Sequence, residues 1–361
     1  MTLSHRERFD GVMHYRPVDF VPLRMPGVLD DARARWEREG LPHGADIKAR
    51  LGIPDLPMAN VSGETHLWPP FESRVLREDD DTIVRQDGYG RTVRQLKGHN
   101  TTPEFLEHAV KTEADFRRVI EERMSVDNLD ARYPAGWAES AREAAASDAL
   151  VMVNAGWYFY TLNCLVGTEM ACCLFHDAPD LVDEYFERIC IAALDGIRRF
   201  AAIGKPDLIC FGEDIAYKNG PFISPEMNRR FLIPRYARIM DAARAAGCDL
   251  AFFGSDGDLR LLIPDYLAVG VNIMEPCEVA AGMVPVELRR RFGRDLRLMG
   301  GIDKREIAKG PRAIDAEIER NRPVIEEGGF LPYVDHSFPA DISFANFCYY
   351  VDKMKQALRI P

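Results

Sequence analysis

The sequence predicts an α/β fold, a (β/α)8 TIM barrel with an N-terminal helical extension and an inserted β-hairpin. Three observations carry that expectation. The chain has 361 residues, a length that suits one large barrel with additions. From residue 150 onward, strand-like and helix-like segments alternate strictly for more than 200 residues. The strand-like segments are continuous apolar runs, as expected for strands buried on both faces of a parallel sheet covered by helices. A doubly wound open sheet is the alternative, but its GxGxxG signature after an early strand is absent.

The elements follow in order. Residues 4–13 read as a short amphipathic helix with Ser4 as N-cap. Phe20-Val21-Pro22-Leu23 reads as a first strand, with Pro22 marking an edge or an end. Residues 28–39 read as a helix that stops at Gly40. An eighth strand is expected somewhere between 55 and 90. The stretch "DTIVRQDGYGRTVRQLK" is a hairpin built around Asp87-Gly88-Tyr89-Gly90, decorating the barrel rather than belonging to it. Helices are expected over 112–123 and 136–147. Then come six strands: "LVMVN", "DLICF", "LAFF", "VNIM", "LRLMG" and "FLPYV". Between and after them lie helices over 157–175, 178–203, 224–246, 258–268, 285–292, 311–327 and 341–357. Ser224-Pro225 opens the third of these helices as N-cap and first helical residue. The whole chain, 1–361, reads as a single domain, with 1–148 carrying the extension and hairpin and 149–361 the regular repeats.

Composition excludes several functions. Hydrophobic residues make up 47% of the chain, enough for a large core. The net charge is −11, with no Lys/Arg cluster, which argues against a nucleic-acid partner and against an anionic membrane surface. No run reaches the roughly 18 apolar residues of a membrane span, and the N-terminus has no signal-peptide core, so a cytoplasmic location is expected. Eight cysteines show no CxxC pair and read as free thiols in a reducing compartment. Cys277 follows a strand end and is the one to watch.

Chemistry in α/β barrels collects at the carboxyl ends of the strands. Here those ends read Asn154 with Trp157 and Tyr158; Gly212-Glu213-Asp214 with Tyr217 and Lys218; Gly254-Ser255-Asp256-Gly257-Asp258; Glu275-Pro276-Cys277-Glu278; Gly301-Ile302-Asp303-Lys304; and Asp335-His336-Ser337. Five successive strands finish in a carboxylate. Asp after a strand also caps helices, and Asp258 and Asp303 are open to that reading. Asp214 and Glu275 fit it less well, because Ser224 already caps the next helix and Glu is a poor N-cap. Acids converging on one rim repel, so a cation, a shared proton or a nearby base must compensate. Lys218, Lys304, Arg24 and a metal ion are the candidates.

The segments "RERFDGVMHYRPVDFVPL", "CFGEDIAYKNG", "GSDGDLRLLIPDYLAVGVNIMEP", "LMGGIDKREIAKG" and "DHSFPADISFANF" together resemble the uroporphyrinogen decarboxylase superfamily. The resemblance runs from about residue 4 to 357 and is nearest the branch that includes corrinoid-linked methyltransferases. It implies the same barrel with its site at the carboxyl-end cleft. Those methyltransferases bind zinc through a His-x-Cys pair, an acidic residue and a final Cys. The matching positions here are Gly254 and Asp256, Glu275, and His336. The resemblance therefore implies a divalent metal, zinc or else manganese or iron, on Asp256, Glu275 and His336. The decarboxylases hold propionates with two arginines after the first strand; here Arg24 stands alone.

Three functions follow from this reading. The first is methyl transfer from a small methylated or methoxylated compound to a corrinoid carried by a separate partner protein. Asp214, Tyr217, Asp256 and His336 would be catalytic, and Arg24, Asn154, Trp157, Tyr158, Lys218 and Ser255 would bind substrate. The second is a metal-free decarboxylase or related lyase, with His336 as acid or base and Arg24 or Lys218 gripping a carboxylate. The third is a non-catalytic binding barrel. A homodimer is compatible with all three.

Overall fold

A computed structural model of the chain describes residues 3–54, 56–99 and 102–361. Its centre is a curled sheet of seven parallel strands that neighbour one another in chain order. They are β1 (Met58–Asn60), β2 (Leu150–Asn154), β3 (Leu208–Gly212), β4 (Ala251–Gly254), β5 (Ile273–Glu275), β6 (Arg297–Ile302) and β7 (Phe330–Val334). β3 and β7 are buried along their whole length, which is why they carry no polar alternation. All strands run the same way, so their carboxyl ends share one rim. Gly212, Gly254 and Glu275 stand side by side there in the register.

Seven strands replace the expected eight, and the ladders among the described residues do not close a barrel. The expected first strand is the missing one. Pro22 has no N–H to give a ladder, and the Val21 N–H bonds instead to the Leu358 carbonyl at 3.0 Å. Val21 and Leu23 are still buried. The segment then meets the loop after β7 in a parallel bridge between Val28 and Phe338. The uncertain strand of the early region is β1.

The helices largely follow the sequence pattern. His5–Met13 starts with a reciprocal capping box between Ser4 and Glu7, and Glu113–Arg123 starts with another between Thr112 and Asp115. The single helix expected over 157–175 is two, Tyr158–Val166 and Thr168–Asp177, broken at Gly167. The helix expected from 258 begins later, at Ile263. The hairpin is present, with Gln86 paired to Thr92 across the Asp87–Gly90 turn. It is the middle of a larger antiparallel sheet whose outer strands are Arg74–Glu78 and Glu104–Glu107. Both outer strands are exposed along their length and so lack the burial pattern that would reveal them in a sequence.

All eight cysteines are free. Cys277 is buried, and burial pushes its thiol up to about 12, so it is not a ready thiolate. Among the described residues, no helix is long and apolar enough to cross a membrane.

Backbone amides at the rim need acceptors. The buried Asp335 carboxylate, just past β7, accepts the N–H of Val279 at 3.0 Å and of Lys304 at 3.2 Å, tying the loops after β5 and β6 to β7. Asp335→Ala orphans both donors. It is expected to cost about 2–4 kcal/mol of unfolding free energy, measured by urea denaturation; a loss under about 0.5 kcal/mol would show that the amides find other acceptors.

Candidate active site

A cavity of about 440 Å³ opens at the carboxyl ends of β1–β5 and β7. Its walls are mostly apolar, with Met152, Phe252, Pro276 and Val334 among them. The polar lining comes from the strand-end loops and from Arg24. Of the eleven residues expected at the site, Arg24, Asn154, Trp157, Asp214, Ser255, Asp256, Glu275 and His336 all line it. Residues far apart in the chain are therefore brought to one mouth.

Two glycines make room for these loops. At Gly212 a Cβ would sit 2.4 Å from the Trp157 indole, so the ring can lie across the end of β3 only over a glycine. Gly257 has φ +86°, and a Cβ there would meet the Ala216 backbone at 2.6 Å. The Asp256 loop docks against the ribbon Ala216–Tyr217/Gly220–Pro221 through that contact.

Asp214 and Asp256 face the cavity. Asp214 has φ +42°, a left-handed conformation that Asp and Asn adopt more readily than other side chains. Burial pushes its carboxyl above the usual range, against the backbone N–H of Asp256 and the neighbouring His336. Asp256 is pushed up to about 6. Burial is the main cause; Asp214 and Glu278 add to it, while His336 and Lys304 oppose it. His336 Nε2 lies 3.8 Å from Asp256 Oδ2, and both side chains are about half exposed. That spacing is an ion-pair distance rather than a hydrogen bond.

Glu275 is engaged differently. Its carboxylate pairs with the Arg24 guanidinium and accepts the Tyr333 hydroxyl at 2.6 Å. Arg24 also donates to the Tyr333 oxygen at 2.9 Å. This partly buried trio is self-neutralised.

The expected metal set was Asp256, Glu275 and His336. The three line one cavity but do not form a ligand set, because the Glu275 carboxylate is already held by Arg24 and Tyr333. Among the described residues, no group of three or more His, Cys, Asp or Glu side chains is arranged to hold a metal ion. The donor set does not fit a three-ligand centre in this arrangement.

Several expected site residues serve the scaffold. Ser255 is buried; its oxygen accepts the Ile215 N–H at 3.0 Å and its hydroxyl donates to the Asp256 carbonyl at 2.8 Å. Asn154 Oδ1 takes the Gly156 N–H at 3.0 Å, turning the chain toward Trp157. Tyr158 is fully buried between Phe186 and Tyr236 and does not line the cavity. Tyr217 is half exposed and stacks on Phe222, and Lys218 sits exposed in the same ribbon turn; neither lines the cavity. Asp303 caps the helix Lys304–Ala308 through the Arg305 N–H and pairs with Arg305, as the capping alternative anticipated; Asp258 takes the Arg260 N–H and pairs with Arg260 but caps no helix, because the next one starts only at Ile263.

Glu213 was not singled out by sequence reasoning. It is buried, and its carboxylate accepts the N–H groups of Tyr158 and Phe159 at 3.0 and 2.7 Å and the Tyr236 hydroxyl at 2.5 Å. It caps the helix Tyr158–Val166 from a different strand. Burial pushes it up to about 7 despite these donors. Only the adjacent Asp214 hinted at it in the sequence, since a cap 55 residues away leaves no local pattern.

No protein-family model matches the chain, and no curated protein matches it in sequence. Among solved structures, it is similar to a methyltransferase from Methanosarcina mazei. The match covers 98% of this chain and 99% of that one, with a TM-score of 0.57 and 16% identity. At that identity the likeness establishes a shared fold.

The raised carboxyl of Asp256 gives a stability test. The folded chain holds its proton up to about pH 6, whereas the ordinary value is 3.8. Folding therefore becomes less favourable as pH rises through that window, and the deficit is complete above it. Asp256→Asn removes the deficit. The variant is expected to melt roughly 1–3 °C above the parent at pH 8 and level with it below pH 4. Equal melting temperatures at both pH values would refute the assignment.

Proposed function

We propose that the chain is a methyltransferase of the uroporphyrinogen-decarboxylase-like kind. On this reading it takes a small methylated or methoxylated compound into the cavity and passes the methyl group to a corrinoid carried by a partner protein. The observation that carries the reading is the cavity itself, with Asp214, Asp256 and His336 free to meet a substrate at its mouth. The fold likeness to a protein described as a methyltransferase, across nearly the full length of both chains, supports it.

Methyl transfer is a displacement at carbon. The bond from methyl to its heteroatom breaks with the electron pair going to the heteroatom, and the acceptor supplies the pair for the new bond. The heteroatom must face the protein and the methyl carbon must face the acceptor. Asp256 and His336 hold the heteroatom side, and Trp157 supports the body of the substrate. Where the leaving atom is oxygen it needs a proton, and the Asp256–His336 pair lies within reach to supply one.

The lyase alternative needs a cation to grip a substrate carboxylate. Arg24 is the one Arg or Lys among the described lining residues, and Glu275 and Tyr333 already occupy it. Lys218, the other expected grip, is not at the cavity. A substrate rich in carboxylates meets acids here rather than bases.

The test is methyl transfer from a panel of methylated and methoxylated compounds to a reduced corrinoid, followed by the corrinoid's visible absorbance. At least one donor is expected to react, and Asp256→Asn or His336→Gln should slow it about 10- to 100-fold. Turnover that both variants leave untouched, or no turnover with any donor, would sink the reading.

A further inference from the structure

The charge inventory of the cavity narrows the substrate, given the methyl-transfer reading above. Four carboxylates line it: Glu213, Asp214, Asp256 and Glu275. Two are already satisfied. Glu213 is taken up by two amides and a phenol, and Glu275 by Arg24 and Tyr333. Asp214 and Asp256 remain. Asp214 takes the backbone N–H of Asp256 and feels His336; Asp256 has the imidazole of His336 at 3.8 Å and the more distant Lys304. No fixed cation with a free charge lines the cavity among the described residues.

The remaining walls point the same way. They combine apolar side chains, glycines and prolines with the uncharged polar Asn60, Asn154, Ser255 and Ser337, and the partly exposed Trp157 indole lines the same cavity. Such walls offer an anion no unpaired fixed charge. They suit a head group that is greasy on its surface and positive as a whole. A methylated onium is that group: its methyls pack on apolar walls and aromatic faces, its charge is diffuse, and it has no N–H to satisfy.

We propose that the methyl donor carries a permanent positive charge on its methylated atom, as a quaternary ammonium or a sulfonium, held by Asp214, Asp256 and the Trp157 ring. The chemistry balances without a proton. The methyl–nitrogen or methyl–sulfur bond breaks, its electron pair stays on the heteroatom, and a neutral amine or sulfide leaves. The reduced corrinoid of the carrier supplies the electron pair for the new bond to carbon and is formally oxidised by two electrons. No proton is taken from or given to either carboxylate.

The experiment is calorimetric binding to the full chain with no acceptor present. Choline is compared with its neutral isostere 3,3-dimethylbutan-1-ol, and trimethylsulfonium is the second cationic probe. At least one onium is expected to bind ten times tighter than the neutral isostere or more. Asp214→Asn combined with Asp256→Asn should shrink that preference below threefold; Asn tolerates the left-handed backbone at 214, so the variant keeps the fold. Equal affinity of onium and isostere, absence of onium binding, or a preference that survives in the double variant overturns the proposal. Onium binding without methyl transfer to a corrinoid leaves the onium site standing and defeats the methyltransferase reading. Transfer from a neutral methoxylated donor with no onium preference does the reverse.

Discussion

Parallel strands that all end on one rim bring the N-termini of the following helices to that rim as well, and their first amides have no partner within the helix. Where the rim is buried, those amides must find acceptors, since an orphaned buried donor costs about 1–3 kcal/mol. Glu213 answers this need for the helix Tyr158–Val166, and Asp335 for the loops at Val279 and Lys304. Ser255 does the same for Ile215. These bonds link each strand end to a loop from another strand. The position of Trp157, one residue before the capped helix, follows from the Glu213 bond and from the bare surface of Gly212.

The same constraint explains the acidity of the rim. Carboxylates are good acceptors for helix amides and are drawn to the positive ends of helices. A rim built this way accumulates acids, and a functional site arises from those that are not fully consumed. Asp214, which takes only the Asp256 N–H, and Asp256 are that remainder. Holding them together in a largely apolar cavity raises both above the ordinary carboxyl range, so the folded state gives up stability for an unneutralised charge at the mouth. Glu275 shows the opposite solution, with its charge cancelled inside the protein by Arg24.

Arg24 reaches the cavity from the segment that fails to become a strand. Pro22 denies that segment a ladder, yet Val21 and Leu23 remain buried and Arg24 crosses to Glu275 and Tyr333. The segment is thus held against the sheet by side chains, beside the two backbone hydrogen bonds that Gly27 and Leu29 share with Phe338. One ion pair and one phenol hold the N-terminal segment against β5 and β7, where a closed barrel would use backbone hydrogen bonds.

The apolar runs from residue 150 onward and caps such as Ser4 and Ser224 made most of the fold legible, because burial on both faces and local capping leave local patterns. The outer strands of the side sheet left none, being exposed, and the break at Gly167 was hidden inside an unbroken apolar stretch. For the site, the order of strand-end acids named the residues that meet at one mouth. It set Asp214 apart from the capping candidates Asp258 and Asp303, but it did not separate the consumed Glu275 and Asp335 from the free acids, or reveal Glu213. That separation depends on which backbone amide or guanidinium lies within about 3 Å of each carboxylate, and for Glu213 and Asp335 those partners come from segments up to 56 residues away. The sequence by itself determined which chemical groups reach the rim. The tertiary structure alone decided which of them are consumed by the protein's own donors and which are left for a substrate, because hydrogen bonding between distant segments is a property of their approach in space and not of their spacing along the chain.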